Sequence, residues 1–315
     1  MGAQKFLKKN LLFTVMAAFV FMVTVSVYLS DLIPEEPPVL ALFSQKDFPP
    51  APILKETSTS FPVLSALGVL AIDVDSQVPL FEKNADSRLL PASTTKIMTA
   101  LVSLEHYNLN DELAVGRVNV EGQKMGLVVG EVIKFEDLLY GLLIYSANDA
   151  AEVLAQNYPG GREAFIKDMN EKALSLHLSQ THFINPSGLD GGEHFSSARD
   201  LVTLSESAMK NGIFAKVVST RSFEAKSVDG KIRHRLTNIN ELIGKVDGVL
   251  GVKTGWTENA RENLVTYIER DNKKVMIALM GSQDRFGETE ELINWIFQNY
   301  EWQKVGPQTA VNYSP

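Results

Sequence analysis

Hydrophobic and polar positions change period several times along the chain. From Asn10 to Ser30, NLLFTVMAAFVFMVTVSVYLS, no charge interrupts an apolar run. A helix of about 20 residues, rising about 1.5 Å each, crosses a bilayer core, so 11–29 is expected to be a transmembrane anchor. Lys5, Lys8 and Lys9 precede it, which makes 1–10 cytoplasmic and places the chain beyond the anchor outside the membrane. The competing expectation is a cleaved signal peptide and a secreted domain, but the run is long for an h-region and no A-x-A site comes after it. Residues 30–62 carry Pro34, Pro37, Pro38, Pro49, Pro50, Pro52 and Pro62, the composition of a semi-extended spacer.

From about Ser65 the pattern is that of a folded domain, expected over 63–303 with a flexible tail at 304–315. ALGVLAIDVD and VPLFEKN, separated by SQ, read as a hairpin. TTKIMTALVSLEH reads as an amphipathic helix with Ile97, Leu101 and Leu104 on one stripe. FEDLLYGLLI, NDAAEVLAQNY, GREAFIKDMNEKALSLHL and SARDLVTLSESAMKN continue as helices, with the loop INPSGLDGGEH between the last two. GVLGVKTG, ENLVTYIER and KKVMIALMGS read as three adjacent strands, the last two joined by a tight turn at Asp271 and Asn272. GETEELINWIFQNY closes the domain as a helix opened by acidic residues. Strands at both ends with helices between them predict an α+β fold: one antiparallel sheet flanked by helices, with an inserted helical lobe.

Composition narrows the chemistry. The 315 residues carry a formal net charge of -8, which argues against nucleic acid as a partner. No cysteine is present, so disulfides and thiolate metal sites are excluded. The five histidines (His106, His177, His182, His194, His234) are scattered, without HExxH spacing or a Gly-x-Ser-x-Gly serine, and are expected to be surface or capping residues.

Three short motifs remain. Ser93 and Lys96 are three residues apart at the start of a helical pattern, where i and i+3 share a face. Serine needs a nearby base to become a nucleophile, and lysine is a base only when neutral. Burial and a second cation lower a lysine pKa, and Lys253 is the expected second cation. Ser146 and Asn148 flank Ala147 at a helix–loop junction, with a hydroxyl able to relay a proton and an amide able to hold a lysine or a substrate carbonyl. Lys253, Thr254 and Gly255 lie on a strand whose glycine admits a substrate backbone. Lys253 and Thr254 would bind a substrate carboxylate, with Arg285 as an assistant or as one member of a surface ion pair. The backbone N–H groups of Ser93 and Trp256 are expected to face a developing oxyanion. A serine–lysine pair alone is weak, since Ser207 and Lys210 repeat the spacing within a helix.

The sequence resembles the serine-type D-alanyl-D-alanine carboxypeptidases, the low-molecular-mass penicillin-binding proteins, with their β-lactamase/transpeptidase-like fold. FEKNADSRLLPASTTKIMTA, YSANDAAEVLA, THFINPSGLD, SARDLVTL and GVKTGWTENARENLV carry the likeness, which covers about Ala66 to Phe297. It implies a nucleophile at Ser93, a general base at Lys96, a proton relay through Ser146 and Asn148, and carboxylate recognition at Lys253 and Thr254. The implied substrates are peptidoglycan stem peptides ending in D-Ala-D-Ala, used in cell-wall biogenesis. β-Lactams are the implied inhibitors, and no metal or organic cofactor is required. Alternatives of the same resemblance are a D,D-endopeptidase, a β-lactamase, for which the INPSGLDGGEH loop has Glu193 but not the Glu-x-x-Leu-Asn pattern, and a non-catalytic wall-binding protein. Arg261 stands where the family usually has glycine, so a locally altered turn is expected there. DSQ replaces the common Asp-x-x-Thr-Gly of the first hairpin.

Overall fold

The structure, a computed structural model, describes residues 15–26 and 49–304. Contacts divide the chain into two units, 1–47 and 48–315. In the first, residues 15–26 are helical. The expected anchor at 11–29 extends beyond the described residues, as do the cytoplasmic segment 1–10, most of the spacer and nearly all of the tail. Among the described residues no helix is long and apolar enough to cross a membrane.

The second unit is organised by a five-stranded antiparallel sheet in the order β3-β2-β10-β9-β8. Its strands are β2 (Gly68–Asp73), β3 (Pro79–Lys83), β8 (Val249–Thr257), β9 (Arg261–Arg270) and β10 (Lys273–Ser282). The period of two explains why β2 and β10 are almost wholly apolar. Leu70, Ile72, Met276, Ala278 and Met280 join the core beneath the helical lobe, whereas Val69, Ala71, Val275, Ile277 and Leu279 join the opposite core. Both faces are covered, so neither alternation nor polarity is required of these strands.

The lobe comprises α1 (Lys96–His106), α2 (Phe135–Leu143), α3 (Asn148–Asn157), α4 (Gly161–Ser175), α5 (Ala198–Met209) and α6 (Gly212–Val218). Helix α7 (Arg285–Asn299) covers the other face through Leu292, Ile293 and Ile296. Its N-cap is Asp284, whose carboxylate accepts the Gly287 N–H. Three two-stranded sheets were not expected from the sequence: β4 (Glu112–Ala114) with β5 (Val132–Lys134), β6 (Ser222–Lys226) with β7 (Arg233–Thr237), and β1 (Ala51–Leu54) with β11 (Tyr300–Gln303). Strand β1 falls within the proline-rich stretch expected to be spacer; Pro52 is tolerated because the ladder has only two strands.

Three turns bear on local expectations. Asp271 and Asn272 have φ of 48° and 60°, the double left-handed geometry that suits a two-residue hairpin. The first hairpin turns over Val74–Val78 rather than at SQ alone, because the Asp73 carboxylate accepts from Ser76 N and Oγ at 2.8 and 2.5 Å. At the β8–β9 turn, Arg261 has φ of 58°. The turn therefore keeps a left-handed residue, and arginine adopts the conformation natural to glycine. A side chain there costs roughly 1–2 kcal/mol, partly offset by glycine's greater unfolded-state entropy. Arg261→Gly is accordingly expected to raise stability by up to about 1 kcal/mol, read as a higher midpoint in urea unfolding; a lower midpoint would contradict the assignment.

Candidate active site

Ser93 lies in a 3-10 turn, Ala92–Thr95, that runs directly into α1 at Lys96. In such a turn i and i+3 eclipse, so the serine hydroxyl sits over the lysine stem. Lys96 Nζ is 2.9 Å from Ser93 Oγ, 2.6 Å from Asn148 Oδ1 and 2.5 Å from the Ser187 carbonyl oxygen. The lysine is 0% exposed. By contrast Lys210, of the second serine–lysine pair, is exposed.

Burial pulls the Lys96 pKa down to about 7, against the opposing carboxylates of Asp149 and Glu152. Lys253 is also buried and is pushed well below its ordinary value by burial, then by Lys96 and by Arg285. Of the two causes expected, burial is the one that acts on Lys96, while the repulsion between the lysines registers on Lys253. A neutral Lys96 has two N–H donors and one lone pair. Two of its three partners are carbonyl oxygens, which only accept, so they take both hydrogens. The lone pair is left facing Ser93 Oγ.

Ser146 precedes α3 with φ of 63°, an uncommon conformation for serine, and its Oγ accepts from Lys253 Nζ at 2.9 Å. Lys253 also donates to the Thr254 carbonyl at 3.0 Å. Asn148 is oriented from behind: its Nδ2 donates to Glu121 O at 2.6 Å and its backbone N–H to Gln123 O at 2.7 Å. Thr254 is buried beside Lys253 on β8. Trp256 follows on the same strand, opposite Glu262, with a side chain 62% exposed. Arg285 donates through Nη1 to the Gly255 carbonyl at 3.1 Å, while its buried Nε has no partner. All nine residues expected from the sequence therefore belong to one connected region.

Two glycines make the close approaches. A methyl group on Gly255 would lie 3.1 Å from Pro91 O and 3.2 Å from Ser93 N, so β8 passes tightly against the serine turn. A methyl group on Gly188 would lie 1.9 Å from Ala92 O, and Gly188 has φ of +87°. The loop holding Gly188 is wound about Asn185, whose Oδ1 accepts from the N–H groups of Ser187, Gly188 and Leu189 at 3.2, 2.7 and 3.2 Å. That winding aims the Ser187 carbonyl at Lys96. The sequence offers no sign of a backbone carbonyl's role; the NPSG turn residues are the nearest signal.

The histidine expectation is corrected at two positions. His194 is buried, and its Nδ1 accepts the Ile184 N–H at 3.1 Å. Nε2 therefore bears the hydrogen and donates to Thr95 Oγ1 at 2.9 Å. Burial pulls the His194 pKa to about 4, so it stays neutral beside the lysine. His234 is likewise buried, on β7. In RHRLT, period-two alternation already sets His234 on the face of Leu236. Among the described residues no cluster of metal-ligating side chains occurs. Glu193 is exposed and contributes only its carbonyl, to His182 Nδ1.

The fold and the serine–lysine site define an acyl-transfer enzyme class, and the comparisons agree. A family model described as D-alanyl-D-alanine carboxypeptidase matches residues 55–284, and the chain belongs to that family. A D-alanyl-D-alanine carboxypeptidase of Streptomyces sp. (strain K15) is 35% identical over 262 residues, 76% of this chain and 90% of its own. A D-alanyl-D-alanine endopeptidase of Escherichia coli (strain K12) is 30% identical over 286 residues, 87% of this chain and 91% of its own. The crystal structure of the Streptomyces K15 DD-transpeptidase is similar at a TM-score of 0.73 and 34% identity, covering 76% of this chain and 100% of that one.

Gly188→Ala tests the packing directly. Strained backbone and overpacking each cost roughly 1–3 kcal/mol, so a loss of about 3 kcal/mol or more in unfolding free energy is expected. Equal denaturation midpoints for variant and parent would refute the close approach.

Proposed function

We infer that this chain is a serine D-Ala-D-Ala carboxypeptidase that removes the terminal D-Ala from peptidoglycan stem pentapeptides and is acylated by β-lactams. The observation that carries this reading is the buried Lys96 nitrogen, 2.9 Å from Ser93 Oγ, with its other two partners fixed carbonyls. Neutral Lys96 takes the Ser93 proton as Oγ attacks the penultimate D-Ala carbonyl carbon. The tetrahedral oxyanion is held by the N–H groups of Ser93 and Trp256. The C–N bond breaks as the leaving amine receives a proton through Ser146, leaving an ester on Ser93. Water then attacks that ester, giving the shortened peptide and a free serine. A β-lactam presents a strained cyclic amide to the same nucleophile, and its leaving nitrogen stays tethered.

The substrate's terminal carboxylate is assigned to Lys253, Thr254 and Arg285. Lys253 Nζ uses two protein acceptors, and Arg285 Nε none. An anion there satisfies orphan donors and offsets neighbouring positive charge. The uncharged run from Asn10 to Ser30 supports anchoring by a single membrane pass, with the domain extracytoplasmic.

A second reading, cleavage of cross-links as a D,D-endopeptidase, is favoured by the likeness to the Escherichia coli endopeptidase over most of both chains. A β-lactamase is disfavoured, since Glu193 is exposed. The assembled lysine–serine cluster speaks against a purely wall-binding protein. Mass spectrometry of a monomeric pentapeptide beside a cross-linked dimer separates the first two: rapid D-Ala release with an intact dimer is expected, and the reverse would select the endopeptidase.

Ser93→Ala is expected to abolish both D-Ala release and labelling by fluorescent penicillin. Lys96→Ala should nearly do so while leaving the protein folded. The pH dependence derives from the Lys96 value of about 7. Acylation needs the neutral amine, so its rate falls as pH drops through that value. At pH 5 only about 1% of the amine is neutral, a loss of about a hundredfold. A flat rate between pH 8 and 5 would remove Lys96 as the base.

A further inference from the structure

The chain from Val115 to Glu131 forms a loop closed at its neck by Val115 N–H to Glu131 O and Gly130 N–H to Val115 O, at 2.8 and 2.9 Å. Its inner part backs the site. Glu121 O and Gln123 O hold Asn148, and the Asp149 carboxylate accepts from Met125, Gly126 and Leu127 N–H at 3.0, 2.9 and 3.1 Å. Its outer part is held by His234 on β7. His234 Nδ1 is 3.1 Å from Met125 O, and Nε2 is 2.8 Å from Glu131 Oε1. The second Glu131 oxygen accepts Val128 N–H at 3.1 Å. The histidine and glutamate are 6% and 5% exposed.

A backbone carbonyl only accepts, so His234 Nδ1 carries a hydrogen toward Met125 O. Nε2 meets one Glu131 carboxyl oxygen and the other accepts Val128 N–H, so ring and carboxyl together tie Met125 to Val128 across the outer loop.

We propose that His234 and Glu131 are positioning residues for acylation: by clamping the outer loop they fix the Glu121 and Gln123 carbonyls, and through them aim Asn148 Oδ1 at Lys96. The proposal rests on the reading of Lys96 as the base. If Asn148 swings away, one Lys96 hydrogen loses its acceptor and the lone pair no longer faces Ser93. Misplacement of a reacting group by about 1 Å costs on the order of a hundredfold in rate.

The test uses the full chain with fluorescent penicillin, resolving encounter from acylation, together with amide hydrogen exchange. In His234→Ala the acylation step is expected to slow by about tenfold or more, with penicillin encounter affinity unchanged and faster exchange at Met125–Val128. Glu131→Gln restores a complete neutral network, since its amide donates to Nε2 and accepts Val128 N–H, so acylation within about threefold of the parent is expected. Should His234→Ala fail to fold, Glu131→Ala, which keeps the ring, carries the same expectation of slowed acylation. Parent-like acylation in a folded His234→Ala or Glu131→Ala overturns the proposal. So does slowed acylation with unchanged exchange across Met125–Val128, or Glu131→Gln as impaired as Glu131→Ala. Failure of the parent protein itself to be acylated would instead overturn the reading of Ser93 and Lys96.

Discussion

One amine, Lys96 Nζ, sits at a point where burial outweighs the two carboxylates that oppose it. Burial alone would make it so reluctant to accept a proton that it would be a feeble base. Asp149 and Glu152 raise its affinity for the proton, and the result is a value of about 7. A base poised near ambient pH is neutral often enough to act and basic enough to take a serine proton. Direction matters as much as strength. The carbonyls of Asn148 and Ser187 occupy both hydrogens of the neutral amine, so its lone pair is aimed before any substrate arrives.

Neither carbonyl comes from the hydrophobic core. One belongs to a side chain held by a long loop; the other is backbone in a turn wound about Asn185. The core acts a step further back. The sheet is covered on both faces, which fixes β8, and Gly255 on β8 lies against the Ser93 backbone. Gly188 closes on the same turn from the other loop. The Ser93 turn is therefore held between a rigid strand and a hydrogen-bonded loop, with glycine at both points of closest approach.

The division between core and loops also decides how much the sequence discloses. Strands β8 to β10 are legible because their apolar runs end at turn residues, and Asp271 and Asn272 take the left-handed geometry that their type predicts. Ser93, Lys96, Ser146, Asn148 and Lys253 are legible because each lies in a short local motif. What stays hidden is carried by backbone atoms or by partners far apart in sequence. Ser187 acts through a carbonyl, which every residue has. His234 and Glu131 are 103 positions apart, and each alone looks like an ordinary polar residue. The short ladders β4–β5 and β6–β7 bury too few side chains to impose a strong pattern. Arg261 shows the opposite limit, since the lost glycine is visible in sequence although the backbone φ is kept at 58°.

The same geometry explains how two buried lysines can serve different ends. Lys96 faces two carbonyl acceptors and the Ser93 hydroxyl, toward which its lone pair is left. Lys253 faces two acceptors, and its neighbour Arg285 keeps a buried Nε without any. Protonating either lysine raises the cost of protonating the other, because both are buried and Lys96 acts directly on Lys253. A carboxylate placed against Lys253 and Arg285 changes that balance on one side only. It supplies the acceptor that Arg285 Nε lacks and sets a negative charge beside Lys253, which favours the charged lysine. Under the proposed function, docking of a carboxylate-ended peptide would favour a cation at Lys253, and the repulsion of that cation toward Lys96 would favour the free base beside Ser93.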